Sequence, residues 1–144
     1  MIKIIYRFLI LIYSKFFKTD ELAETYPVSV KGIFKDNNRF LLVKNEKGYW
    51  DFPGGKIEKS ISVESTLIKE FKEELNLDIS VKEIIYFENE DFYKMNLMIA
   101  IYNVENLNSN PIHLSHEHIE FDFFEFNEID KLKVPDWVKS CISV

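Results

Sequence analysis

A single mixed α+β domain with few helices is the fold this sequence predicts, and three observations carry it. Short runs that alternate apolar and polar residues, parted by turn residues, recur from Val28 to Phe126, the mark of half-buried strands. One stretch, Ile61 to Leu75, carries apolar residues at helical spacing instead. The 144 residues suffice for one domain at a typical ~100 to 200 residues each, and 47% apolar with 29% charged residues suits a globular chain that buries a core.

The chain is expected to divide into an N-terminal basic helix over residues 1–20 and a domain over residues 21–144. At helical spacing Ile2, Ile5, Leu9, Ile12 and Phe16 form one stripe, with Lys3, Arg7, Ser14 and Lys18 on the other side. Arg7 and Lys15 bracket seven residues, far short of the ~20 that a membrane span needs. No small-x-small site follows the apolar run, as a cleaved signal requires. Two readings stay open: peripheral contact of residues 1–18 with anionic lipid, or packing on the domain's own core.

Beyond it, Tyr26-Pro27 turns into a strand over Val28 to Phe34, whose alternation predicts one buried face. Asp36-Asn37-Asn38 is turn chemistry, and Arg39 to Val43 returns as the second strand of a hairpin. Lys47-Gly48 is a further turn. The helix at Ile61 to Leu75 has Ser62 as its N-cap, and Val63, Leu67, Phe71 and Leu75, with Ile68 beside them, as its buried stripe. Strands are expected at Leu77 to Phe87, Met95 to Val104 and Glu120 to Phe126, with a loop over Asn106 to Pro111. Pro135 opens a C-terminal helix that turns Trp137, Val138 and Ile142 inward.

Charge narrows the function classes. Eighteen basic against 24 acidic residues give −6 overall, and residues 1–18 hold four basic residues and no acid, so the other 14 basic and 24 acidic residues leave a body of −10. Such a body is a poor partner for duplex nucleic acid, which needs a basic surface, and it suits a site that concentrates divalent cations. One cysteine, Cys141, excludes an internal disulfide and a thiolate zinc site, so a reducing, cytoplasmic setting is expected, with the inner face of the membrane as the place to which the basic segment would draw it.

The chemistry signal lies between Gly54 and Leu77. Gly54-Gly55 follows Pro53 where a strand leaves the sheet, so backbone there can approach a ligand closely. On the helix Glu70, Glu73 and Glu74 form an acidic arc, which costs a few tenths of a kcal/mol per like-charge pair and which a divalent cation would turn to advantage. The competing reading is a solvated face in which Lys69 pairs with Glu73 and Lys72 adds compensation.

Read together, these residues resemble the Nudix box, G-x5-E-x7-R-E-U-x-E-E-x-G-U with U bulky and apolar, in register from Gly55 to Leu77. Gly55, Glu70, Glu73, Glu74 and Leu77 match outright, Phe71 stands at a U position, and Trp50-Asp-Phe-Pro-Gly54 resembles the family's approach to the box. Three positions depart: Ile61 for the first Glu, Lys69 for Arg and Asn76 for the late Gly. Asn tolerates the left-handed conformation of a helix C-terminus. Lys keeps the charge of Arg without its planar fork. Ile61 removes the carboxylate that pairs with that Arg in the family.

The resemblance implies an αβα sandwich with a mixed sheet and metal-dependent attack of water on a diphosphate within a nucleoside diphosphate linked to another moiety, such as a nucleoside triphosphate or dinucleoside polyphosphate. It implies Mg2+, with Mn2+ as a substitute, held by the Gly54 carbonyl, Glu73 and Glu74, with Glu70 as ligand or water-activating base. A carboxylate from a later loop is expected as well: Glu117 first, Glu120 second. Gly55, Lys56 and His118 would lie against the substrate. His113, His116 and His118 with Glu117 raise zinc as a rival, although in a strand His113 would point away from the other two. Tyr49 and Trp50 could stack a nucleobase or belong to the core. Tyr93, 16 residues past Leu77, stands near the tyrosine of dinucleoside polyphosphate hydrolases, whereas the proline that marks many ADP-ribose hydrolases is absent around Phe92. Two other classes stay in view: a Nudix-fold binding or sensor domain, suggested by Ile61 and Lys69, and a peripheral membrane protein that acts through its N-terminus.

Overall fold

The computed structural model describes residues 27–58, 60–92 and 95–142. The basic amphipathic segment and its two readings therefore lie outside the described residues, as does Tyr93.

Seven strands build one mixed sheet among the described residues: β1 (Val28–Asp36), β2 (Arg39–Lys44), β3 (Trp50–Asp51), β4 (Gly54–Lys56), β5 (Ile79–Phe92), β6 (Met95–Asn106) and β7 (Glu120–Phe124). The path runs β3-β2-β1-β6-β5, with β4 added to β1 and β7 to β2. Only the β1–β6 pairing is parallel. Helix α1 (Val63–Leu75) covers one face, and the short α2 (Phe126–Ile129) and α3 (Asp136–Ile142) cover the other.

Two apolar cores follow from this layering. Leu67, Phe71 and Leu75 of α1 pack with Val30, Leu41, Val43, Ala100 and Val104 on one side. Ile129, Trp137 and Val138 pack with Ile33, Leu42, Trp50, Phe52, Ile99 and Ile101 on the other. The α+β class and the αβα sandwich are thus what the chain adopts. Because β1 sits mid-sheet, both its faces are covered, Val30 at 0% and Ile33 at 2% exposure, which corrects the expectation of a half-buried strand.

Helix α1 starts two residues later than its apolar pattern, because Ser62 adopts an extended conformation and its hydroxyl accepts from the Ser65 amide. It ends at Asn76, left-handed at φ 59°, whose amide turns back to the Lys72 carbonyl. Ile68 is 40% exposed and does not belong to the buried stripe. The β5–β6 hairpin is longer than the alternation predicts, since cross-strand pairing carries it on to Phe92 and Met95. Strands β3 and β4, of two and three residues, and helix α2 are too short to leave a period in the sequence.

Candidate active site

Glycine lets the helix close on the sheet. A Cβ at Gly32 would meet the Phe71 ring at 2.6 Å, so α1 can lie directly on β1. Gly54 has φ +137°, and a Cβ there would strike the Val30 carbonyl oxygen. At Gly55 a Cβ would meet the Glu70 carboxyl carbon at 2.6 Å, so that carboxylate rests on the bare backbone of the glycine pair.

Glu74 is buried. It is 3% exposed, and its carboxylate accepts the Gly54 amide at 3.1 Å and lies 2.8 Å from His118 Nε2. A carboxylate partner calls for the tautomer that carries its proton on Nε2, which leaves His118 Nδ1 buried without a partner among the described residues. Thus His118 holds Glu74. The loop that carries it is pinned to the end of α1 by the His113 amide on the Leu75 carbonyl and the Ser115 amide on the Glu74 carbonyl.

The same pinning sets Glu117 beside Glu70. Burial raises the Glu70 pKa, and the charges of Glu74, Glu73 and Glu117 raise it further, with Lys69 opposing. Glu73 and Glu117 are exposed. The lysines that a solvated face would need are drawn elsewhere: Lys69 contacts Glu58 at 3.4 Å, and Lys72 contacts Asp78 at 3.0 Å. Four carboxylates therefore converge, and from the helix only Lys69, itself paired with Glu58, offsets Glu70 and Glu73.

Other candidates are placed apart. The Glu120 carboxylate is engaged by Lys44 at 3.0 Å. Trp50 is 7% exposed and packs edge-on against Phe124, so its ring serves the core rather than a ligand. Tyr49 is half-buried, under the Lys133 ammonium, and lines a cavity of about 200 Å3 with Lys31, Asn45, Asp51 and Trp137. Lys56 is exposed at the end of β4. His113 and His116 are exposed in a loop and turn, not a strand, and Ile61 is half-buried.

Lys31 and Asp51 escaped the sequence reading. Asp51 accepts from the Phe52 amide, from Trp137 Nε1 at 3.0 Å and from Lys31 at 3.1 Å. The available signal was Ile33, an apolar residue two positions from Lys31 on the supposed solvent face of β1.

Hard carboxylate and carbonyl oxygens, with Glu70 under like-charge stress, fit a hard divalent cation. Among the described residues no three Asp, Glu, His or Cys side chains are gathered as a ready cage. Mg2+ needs none, because it keeps several waters and uses one or two carboxylates with substrate phosphates.

The NUDIX domain family model matches residues 25–142. The ADP-ribose pyrophosphatase of Methanocaldococcus jannaschii is 29% identical over 110 residues, 73% of this chain and 65% of that protein. The 8-oxo-dGTP diphosphatase of Proteus vulgaris is 30% identical over 74 residues, 49% of this chain and 66% of that protein. Matching segments thus span just under two thirds of either relative. The crystal structure of a MutT protein from Methanosarcina mazei shares the fold at a TM-score of 0.74 and 22% identity, over 85% of this chain and 94% of that one.

Proposed function

Because this chain belongs to the NUDIX domain family, matched over residues 25–142, we propose that it hydrolyses a diphosphate bond in a nucleoside diphosphate linked to another moiety. The observation that carries this reading is the crowding of Glu73, Glu74 and Glu117 around Glu70. The names of two relatives, an ADP-ribose pyrophosphatase and an 8-oxo-dGTP diphosphatase, support the nucleotide class of substrate.

The family generally uses divalent metals, and here Glu73, Glu74, the Gly54 carbonyl and Glu117 would hold Mg2+ or Mn2+. When bound, such an ion neutralises the diphosphate and lowers the pKa of a bound water. Glu70, whose proton affinity is raised by burial and by its acidic neighbours, accepts a proton from the attacking water. Its position over Gly55 aims it. His118 and the Gly54 amide fix the Glu74 carboxylate. Lys56, exposed at the end of β4, would attract phosphate, and Tyr49 would lie against the nucleoside from the cavity it lines with Lys31 and Asp51.

One observation favours a second reading, nucleotide binding without turnover: Ile61 stands where the box has its first Glu, and Lys69, at the Arg position, pairs with Glu58 instead. A single experiment separates the two. The purified protein is incubated with Mg2+ or Mn2+ and a panel of nucleoside triphosphates, dinucleoside polyphosphates, nucleotide sugars and ADP-ribose, with Glu73→Gln as control. Metal-dependent cleavage that disappears in the control is the expected result. Silence across the panel, with nucleotide binding seen by calorimetry, would replace the hydrolase reading by the second.

A further inference from the structure

The acidic site already contains a cation. Lys31 pairs across the β1–β4 ladder with Gly54, and its side chain is only 16% exposed. Its ammonium lies 3.1 Å from Asp51 Oδ2 and donates to the Gly54 carbonyl at 3.3 Å. Burial alone would lower its pKa, yet Asp51, Glu74 and Glu70 outweigh burial and hold it above the ordinary lysine value. An ammonium on that carbonyl places positive charge where the metal reading needs a ligand oxygen.

Resting on the metal-hydrolase reading above, we propose that Lys31 is the resident counter-cation of this oxygen set, which a divalent ion must push off the Gly54 carbonyl before it can bind there. Asp51 makes the exchange reversible. When the ammonium gives up the carbonyl it keeps a carboxylate partner, so no bare charge is stranded in the interior. Asp51 is itself steadied by Trp137 Nε1 and the Phe52 amide. The cavity of about 200 Å3 that both residues line leaves the side chain room to withdraw. Lys31 thereby sets how tightly the site takes its metal, and it guards the loop geometry while the metal is away.

Binding of Mn2+ alone, read by the loss of the free-ion electron paramagnetic signal, tests this without reference to turnover. Lys31→Met should bind Mn2+ about tenfold or more tightly than wild type, because a unit charge within a few Å of the ion is removed. Lys31→Arg keeps the charge and should restore affinity near that of wild type. The double variant Lys31→Met/Asp51→Asn should retain the tightening, since it removes the pair without exposing a new carboxylate. Unchanged or weaker binding in Lys31→Met, or tightening that vanishes in the double variant, would overturn the proposal. Its failure is distinct from failure of the metal reading, which would appear as wild-type Mn2+ binding that Glu73→Gln leaves intact. Thermal melting of each variant confirms that the comparison is made on folded protein.

Discussion

Glu73 and Glu74, adjacent in sequence, should respond differently to the same change. Glu73 is exposed, so Glu73→Gln should melt like wild type while metal-dependent turnover is lost. Glu74 is buried between the Gly54 amide and His118, so Glu74→Gln should also cost about 1–3 kcal/mol in urea unfolding. At Gly55 a methyl group would press on the Glu70 carboxyl, and Gly55→Ala should lower kcat/KM by about 100-fold. Circular dichroism should show the fold unaltered, since Glu70 is not core. Burial pushes the Cys141 thiol up from 9.0 to about 12. In the native protein it should therefore alkylate at pH 8 at least about 100-fold more slowly than in urea. The sign for stability follows: the folded state holds this proton more tightly, so the contribution is whole below pH 9 and is lost as pH rises from about 9 to 12. The urea-midpoint gap between wild type and Cys141→Ala should narrow over that interval. At this scale residue types told much, since an acidic arc and a glycine pair are readable in one dimension. Burial was not readable: nothing in the arc marks Glu74 as buried and its neighbour Glu73 as exposed.

Helix α1 is the element that gathers the site, and its two ends and one face account for its position. Ser62→Ala removes the acceptor for the Ser65 amide and should cost about 0.5–2 kcal/mol in urea unfolding, whereas Ser62→Asp should be close to neutral. On the face against β1, Gly32→Ala drives a methyl into the Phe71 ring and should cost about 1–3 kcal/mol, because neighbours on both faces of the strand prevent relief. Smaller Phe71→Leu in the Gly32→Ala background should recover part of that loss. Period and caps make this helix legible in the chain itself. Lys69 is legible there only as a charge. Its partner is Glu58 in the loop before the helix rather than Glu73 one turn along, because chain reversal after β4 brings that loop back over the first turns of α1.

At the scale of the molecule, the sheet separates two cores, and the hydrogen bond from Trp137 links the C-terminal layer to the site side. Trp137 Nε1 on α3 reaches Asp51 on β3, and Asp51 in turn holds Lys31 beside Gly54. Trp137→Phe should therefore loosen both fold and site: about 1–3 kcal/mol in unfolding, from the buried acceptor and the smaller ring, and a change in Mn2+ affinity that Phe124→Leu does not reproduce. Sequence alone determined the α+β class, the place and limits of the long helix to within two residues, and the acidic arc with its glycine pair, because period, caps and turn residues are local properties of the chain. Only the tertiary structure decided which carboxylates meet. Backbone bonds between a distant loop and the end of α1 brought Glu117 to Glu70, while the β2–β7 ladder carried Glu120, three positions on, to Lys44. It alone buried Trp50 and placed Lys31 against the Gly54 carbonyl. Those outcomes depend on which layer covers which face of the sheet, and a strand's own alternation carries no record of what will be packed above it.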